Sequence, residues 1–251
     1  MRYVLIFLCT FAFTVEASDF AKEKRWMEQT VDSILDGEAI MLKADGHEFL
    51  SIFTEAEDES DKGMIVIHGT GVHPNWAQVI YPVRVEMAAR GWNTLSIQMP
   101  ILANDASYED YVPLYPEVPP RLKAAEDYLF AKGIEKIVIV AHSQGATMAG
   151  YYLSKSKHRV NGFVAIGMGA TQKDSHLNSA NALESIQIPV LDIYGSEDLP
   201  GVLETSDERK RAGAHNRAYK QKIVSGAGHF FDGKNEELIE PIDEWLSAQG
   251  L

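Results

Sequence analysis

The sequence predicts an α/β fold: a mostly parallel central sheet with an antiparallel N-terminal edge and helices on both faces. Runs of consecutive apolar residues, of which Ile137 to Val140 is the clearest, are typical of strands buried on both faces of a parallel sheet. These runs alternate with segments of helical spacing, which favours strand–helix–strand crossovers. The 251 residues are 45% hydrophobic and 24% charged, so the chain can form one sizeable core.

Residues 1–17 are interpreted as a signal peptide that does not belong to this domain. Arg2 supplies a positive charge, and Tyr3 to Val15 is an apolar run too short to span a membrane comfortably. Small residues precede a cleavage position after Ala17, so we expect an exported chain, periplasmic or secreted, with a single domain at 18–251. An N-terminal anchor helix is the alternative interpretation of the same pattern.

Charge and cysteine content limit the expected partners. The formal net charge of −13 argues against a nucleic acid or an anionic membrane surface. The only cysteine, Cys9, lies in the predicted signal peptide, so we expect no disulfide and no thiol nucleophile in the mature chain. No histidines and carboxylates have metal-ligand spacing. We therefore expect no cofactor, no metal and no stable membrane insertion of the mature chain; its partner should be a small molecule. The oligomeric state stays open.

A helix and a hairpin are predicted at the start of the domain. Phe20 to Glu38 has helical spacing, with a glycine near its end. The dipeptide Asp45-Gly46 is a strong hairpin signal, and it separates two strand-like runs, Ala39 to Leu42 and Phe49 to Thr54. These two strands should form the antiparallel edge of the sheet.

The rest of the chain repeats a strand–helix pattern. Each predicted strand is an apolar run, and the longer predicted helices end near glycine or polar residues. The strands are 63–67, 92–99, 137–140, 163–166, 190–194 and 219–224, and the helices are 76–90, 121–131, 146–153, 203–212 and 236–248. The polar stretch 171–181 is expected to be exposed.

The segment 101–120 has no clear period and is interpreted as a long loop. It contains four prolines and three tyrosines, Tyr108, Tyr111 and Tyr115. Long loops in compact domains are often functional, so one interpretation is a substrate-binding lid with aromatic walls. The alternative is a surface excursion whose tyrosines pack back onto the body of the domain.

The strongest functional signal is Ala141-His142-Ser143-Gln144-Gly145. It follows a predicted buried strand and precedes a predicted helix, which is the context of a G-x-S-x-G nucleophile elbow, here with alanine in the first position. Small neighbours allow the strand and helix to approach closely, and the helix N-terminus favours developing negative charge. The alternative is a serine that only caps the helix.

Three further groups are expected at the same edge of the sheet, beyond the carboxyl ends of its strands. Asp198 and His229 follow predicted strands, and the order serine, acid, histidine is the one expected on this fold. His229 would take the proton of Ser143, and Asp198 would orient the imidazole. The backbone N–H groups of Thr70 and Gln144 would form the oxyanion hole.

At this point the chain resembles the α/β-hydrolase superfamily. The resemblance rests on HGTG at 68–71, AHSQG at 141–145, YGSED at 194–198 and GAGH at 226–229, which together span most of the predicted mature chain. The Ser-Gln pair at the elbow is similar to that of carboxylesterases and acyl thioesterases. The stretches HGTGVHPNW and GWNTLSIQMP resemble an uncharacterised bacterial branch of exported α/β-hydrolases, which implies a fold and a compartment but no substrate.

Two neighbouring carboxylates compete with Asp198 for the acid position. Glu197 is adjacent to it and Asp192 lies in the same predicted strand, but Asp198 stands third after Gly195, where the superfamily's acid is usually found. His68 is expected to shape the turn that carries Thr70. The remaining histidines, including His142 beside the nucleophile, are expected to have structural roles or none.

The leading hypothesis is therefore a serine hydrolase that cleaves a carboxylic ester or thioester through an acyl-enzyme. The same triad would also serve an acyltransferase or a peptidase. A non-catalytic binding protein with the same fold is the alternative from another class.

Overall fold

The computed structural model describes residues 18–175 and 177–251. The predicted signal peptide at 1–17 lies outside the described residues. Eight strands form one sheet: β1 (Glu38–Ala44), β2 (His47–Thr54), β3 (Lys62–Ile67), β4 (Asn93–Ile97), β5 (Lys136–His142), β6 (Val160–Ile166), β7 (Val190–Glu197) and β8 (Tyr219–Gly228). Their order across the sheet is β1-β2-β4-β3-β5-β6-β7-β8.

One strand, β2, runs against the others, and the hairpin signal predicts its antiparallel pairing with β1. β1 pairs with β2 through the turn at Asp45 and Gly46, and β2 pairs antiparallel with β4. Every pairing from β4 to β8 is parallel. The predicted mostly parallel sheet with an antiparallel N-terminal edge is therefore confirmed.

Helices lie along both faces of this sheet. The α-helices are α1 (Phe20–Val31), α2 (Ile80–Ala89), α3 (Val118–Ala131), α4 (Gln144–Lys155), α5 (Ser179–Leu183), α6 (Pro200–Leu203), α7 (Ser206–Gly213) and α8 (Asn235–Ala248), and a 3₁₀ helix spans Glu109–Glu117. No helix among the described residues is long and apolar enough to cross a membrane.

β5 shows why the sheet needs two covering layers. Ile137 and Ile139 enter the core on the side of α3 and α4, whereas Val138 and Val140 enter the core beneath α2 and α8. Both sets are at most 1% exposed. A strand that is apolar on both faces is stable only between two helical layers. Its carboxyl end is thereby fixed at the centre of the sheet edge.

The prediction of a loop over 101–120 is wrong in its second half. The 3₁₀ helix Glu109–Glu117 contains Pro113 and Pro116, and α3 begins at Val118 rather than at Arg121. Proline lacks an N–H but fits the first turn of a helix, where that donor has no partner. Helix α2 is likewise shorter than predicted, because the residues from Trp76 to Val79 form turns before it.

The prediction that 171–181 is exposed is wrong for part of this stretch. Gln172 is 4% exposed and Ser179 is 1% exposed, and Ser179 begins the short helix α5. Polar side chains are buried where they meet other polar groups. Ser179 donates to Thr147 of α4, the helix that carries the candidate nucleophile at its N-terminus.

Candidate active site

Ser143 occupies a sharp turn between β5 and α4. Its backbone has φ 56° and ψ −125°, a left-handed conformation that costs free energy for any residue other than glycine. Gly145 follows in the first turn of α4, and a Cβ atom there would overlap the carbonyl oxygen of His68. The glycine therefore allows α4 to approach the turn after β3. This geometry leaves Ser143 partly exposed at the sheet edge.

His229 joins Ser143 to Asp198. Its Nε2 lies 2.9 Å from Ser143 Oγ, and its Nδ1 lies 2.6 Å from Asp198 Oδ1. A carboxylate only accepts hydrogen bonds, so Nδ1 carries the proton and Nε2 is free to accept the serine proton. The structure thus brings together the three side chains that the sequence analysis selected.

Asp198 is held in place by backbone donors. Leu199 N–H donates to Oδ1 at 2.7 Å and Gly195 N–H donates to Oδ2 at 3.3 Å. Burial favours the neutral acid, but the hydrogen bonds from His229 and the backbone outweigh it and hold the pKa of Asp198 below its ordinary value. Asp198 is therefore ionised at neutral pH beside the imidazole.

The two competing carboxylates have other positions. Asp192 is fully buried and forms an ion pair of 2.8 Å with Arg209, and it also accepts hydrogen bonds from Tyr219 and Gln221. Glu197 is exposed at the end of β7. Among these carboxylates, Asp198 alone is the partner of His229.

Thr70 and Gln144 face each other across the gap between the β3 turn and α4. The Thr70 hydroxyl donates a hydrogen bond of 2.9 Å to Gln144 Oε1. Gln144 is the first residue of α4, where a backbone N–H has no carbonyl one turn earlier to bond. A Cβ at Gly69 would lie 3.1 Å from Ser143 Cβ, so the turn that carries Thr70 packs directly against the nucleophile.

His68 orients that turn as the sequence analysis predicts. Its Nδ1–H donates to the carbonyl of Gly69 at 2.7 Å, and its Nε2 accepts from the N–H of Met99 at 2.9 Å. Both ring nitrogens are thus used by a neutral imidazole. Burial lowers the pKa of His68 to about 3.

His142, adjacent to the nucleophile, supports the loop of His229. Its Nε2–H donates to the backbone carbonyl of His229 at 3.0 Å, and the two rings lie 4.7 Å apart between centroids. Burial lowers the pKa of His142 to about 4, so it stays neutral beside the other imidazole. This role is more specific than the general packing role expected from sequence.

The three tyrosines of the 101–120 segment lie in different surroundings. Tyr111 and Tyr115 are each 1% exposed and belong to the core. Tyr108 is partly exposed, and its hydroxyl lies 3.1 Å from Oγ1 of Thr147, one helical turn after Ser143 on α4. Of the three, Tyr108 is the one whose hydroxyl contacts Thr147, on the turn of α4 that follows the nucleophile.

The polar surroundings of Tyr108 were not found by sequence reasoning. Ser179 Oγ donates to Thr147 Oγ1 at 3.2 Å, and neither amide atom of the buried Gln172 has a well-formed hydrogen bond. Burial raises the pKa of Tyr108, while Thr147 and the nearby amide of Gln172 act in the opposite direction. The four-residue spacing of Ser143 and Thr147 is the signal that would have identified Thr147.

The other side of the site is apolar. Leu199 and Phe230, each directly after a triad residue in sequence, are 51% and 44% exposed. The ring of Phe230 lies 5.1 Å from that of His229. Large exposed apolar side chains beside a reactive group are suited to contact an apolar ligand. Among the described residues, no three histidine, cysteine or acidic side chains are placed to hold a metal ion.

Comparison with solved structures returns proteins of one fold. An esterase from Pyrococcus furiosus, Pf2001, is 19% identical with a TM-score of 0.70, over 89% of this chain and 95% of that one. Est1E from Butyrivibrio proteoclasticus is 16% identical with a TM-score of 0.67, over 85% and 99%. An alpha-beta serine hydrolase homologue from Coxiella burnetii is 18% identical with a TM-score of 0.67, over 84% and 98%. At these identities the similarity establishes the α/β-hydrolase fold.

Sequence families give a second comparison. The sequence model of one family, described as "Protein of unknown function (DUF3530)", matches residues 20–119 and 114–248. No curated protein matches the chain. The chain therefore belongs to the DUF3530 family, and its fold is that of the α/β-hydrolase superfamily.

Proposed function

We propose that this protein is a serine hydrolase that cleaves carboxylic esters or thioesters through an acyl-enzyme. The observation that carries the proposal is the continuous hydrogen-bonded path from Ser143 Oγ through His229 to Asp198, with Ser143 in a left-handed turn at a helix N-terminus. A serine hydroxyl is a weak nucleophile until an adjacent base takes its proton. A non-catalytic binding protein would not require this arrangement.

In the proposed mechanism Ser143 Oγ attacks the acyl carbon while its proton moves to His229 Nε2. Asp198 stabilises the resulting imidazolium through Nδ1–H. The N–H groups of Thr70 and Gln144 stabilise the oxyanion, and each such donor is typically worth about 10²–10³ in turnover. His229 then protonates the leaving alcohol or thiol. A water molecule, activated by His229 in turn, releases the acid from Ser143.

The surroundings of Ser143 favour a substrate that has both an apolar group and a polar group. Phe230, whose ring lies beside that of His229, offers an exposed apolar surface, and Tyr108 with Thr147 offers hydroxyl groups one turn along α4. Est1E, one of the similar structures, has been solved with ferulic acid bound, which supports including aromatic acyl groups among the substrates to be tested. The net charge of −13 disfavours strongly anionic substrates.

The first test is labelling of the purified protein with a fluorophosphonate probe. We expect the wild type to be labelled and the variants Ser143→Ala and His229→Ala to be unlabelled. Ser154→Ala, on the same helix as the elbow, is the matched control and should label normally. A folded wild type that does not label, or an equally labelled Ser143→Ala, would favour the binding-protein alternative.

A substrate panel then separates the enzymatic alternatives. p-Nitrophenyl esters of graded chain length, a thioester, a hydroxycinnamate ester and a peptide amide are compared by kcat/KM. We expect turnover of the esters or the thioester and none of the amide. Products analysed with added alcohol or amine acceptors distinguish hydrolysis from acyl transfer.

A further inference from the structure

The first described residue is bonded to a carboxylate far along the chain. Ser18 N–H donates to Glu117 Oε1 at 3.0 Å, and the Ser18 hydroxyl donates to Glu117 Oε2 at 2.7 Å. Both oxygens of one carboxylate are therefore occupied by one residue. Ser18 is the residue directly after the predicted cleavage position at Ala17.

The residues that follow Ser18 are fixed to the same region. Asp19 N–H donates to the carbonyl of Ile101 at 2.8 Å, and Lys22 Nζ donates to the carbonyl of Leu102 at 2.7 Å. Asp19 also caps α1 by accepting from the N–H of Lys22. Helix α1 begins at Phe20, so Ser18 is held by its own bonds to Glu117 and by the capped helix that follows it.

Glu117 has the capacity to take a positive charge at this point. Arg121, its closest cation, is directed mainly at Glu23, with distances of 2.9 and 3.1 Å against 3.4 Å to Glu117. A carboxylate bonded by a neutral amide and a hydroxyl gains free energy when one donor becomes cationic, because charge-assisted hydrogen bonds are roughly twice as strong as neutral ones.

We propose that the chain is processed between Ala17 and Ser18 and that the ammonium group released at Ser18 forms an ion pair with Glu117. A signal peptidase, a separate hydrolase, breaks the peptide bond with one water molecule. Ala17 takes the hydroxyl as a carboxylate after losing a proton, and Ser18 takes the hydrogen and a further proton as an ammonium. The proposal concerns stability and holds whether or not the hydrolase function does.

The ion pair would lock α1 against the segment that carries Tyr108. Its stabilisation is present where the amine is charged, which for an ordinary α-amino pKa of about 8 includes neutral pH. It is lost as the pH rises and the amine becomes neutral. The titratable and charged groups around Ser18 lie in α1 and its cap, in the partner segment and in β2: Asp19, Lys22, Glu23, His47, Glu117 and Arg121.

The first experiment expresses the full chain in an exporting bacterium and measures the intact mass of the exported protein. We expect a chain that begins at Ser18. A chain that keeps residues 1–17, or one that begins at another residue, overturns the proposal.

The second experiment compares thermal unfolding of the chain beginning with a free Ser18 and the same chain acetylated at that amine. We expect the free amine to raise the midpoint at pH 7 by roughly 2–4 °C and the difference to disappear near pH 10. Glu117→Gln should remove the difference, whereas Glu109→Gln, an exposed acid in the same 3₁₀ helix, should keep it. Equal midpoints for the two wild-type forms overturn the ion pair, and this comparison does not depend on the folding of any variant.

Discussion

The hydroxyl of Thr70 donates a hydrogen bond of 2.9 Å to the side-chain oxygen of Gln144. These are the two residues whose backbone N–H groups are proposed to bind the oxyanion. One lies in the turn after β3 and the other begins α4, so this single side-chain contact joins the two halves of the proposed oxyanion hole. We therefore expect the spacing of the two donors to depend on it.

Thr70→Val removes this bond and keeps the shape of the side chain. We expect kcat to fall about tenfold or more with KM little changed, which is less than the ~10²–10³ for complete loss of a donor because both N–H groups remain. Thr70→Ser keeps the hydroxyl and should stay within about threefold of wild type. Equal kcat values for the Val and Ser variants would show that the contact does not set the donor spacing.

Buried neutral histidines predict a loss of stability in acid. His68 and His142 have pKa values of about 3 and about 4, well below the ordinary 6.5, because burial disfavours their charged forms. In the window between 6.5 and these values the unfolded chain binds protons that the folded chain does not. The contribution of these two histidines to the free energy of unfolding is therefore complete above pH 6.5. It declines as the pH falls from 6.5 towards their pKa values in the folded protein.

At pH 5 each of these two histidines is expected to cost about 2 kcal/mol of unfolding free energy relative to pH 7. Urea unfolding at the two pH values measures the total. Burial also lowers the pKa of His73 to about 4, so replacement of His142 by Asn should flatten the pH dependence by about a third, although the variant is less stable at pH 7. An unchanged free energy between pH 7 and pH 5 would contradict the prediction.

The sequence predicts the sheet well because its signal is local. Four apolar β-branched residues from Ile137 to Val140 can be stable in few places other than a strand covered on both faces. The choice of Asp198 over Glu197 rests on the resemblance to the superfamily, whose acid usually stands third after a strand-ending glycine. The structure places that carboxylate 2.6 Å from the ring of His229.

What the sequence could not predict depends on contacts between distant residues. Arg121 is bonded to Glu23, 98 residues earlier, and nothing local to either residue identifies the pair. Gln172 lies in a polar stretch whose composition is typical of an exposed loop, yet the chain buries it beside Tyr108. The prolines near Val118 hid a helix start, since they remove the periodic signal without preventing helical geometry.

The buried ion pair of Arg209 and Asp192 predicts a large loss of stability when one partner is removed. Both side chains are fully buried, and Arg209 also donates to the carbonyl of Val202 at 2.9 Å, so it ties α7 to β7 and α6. Arg209→Met leaves the carboxylate without its cation and should cost about 3–5 kcal/mol. Urea unfolding measures this. Arg90→Met, at a partly exposed pair with Asp243, is the control and should cost at most ~1 kcal/mol.

Two glycines of α4 are expected to respond oppositely to the same substitution. At Gly150 a new Cβ would lie 3.6 Å from Ala182 Cβ, an ordinary contact, so Gly150→Ala should stabilise the protein by roughly 0.5–1 kcal/mol through helix propensity. At Gly145 the new Cβ would overlap the carbonyl oxygen of His68, which is backbone and cannot move aside cheaply. Gly145→Ala should therefore lower the midpoint of thermal unfolding and displace the turn that carries Thr70.

Thermal unfolding of the Gly145→Ala and Gly150→Ala variants, with fluorophosphonate labelling of each, tests this. A Gly145→Ala protein that unfolds and labels like wild type would show that α4 does not need its close approach to the β3 turn.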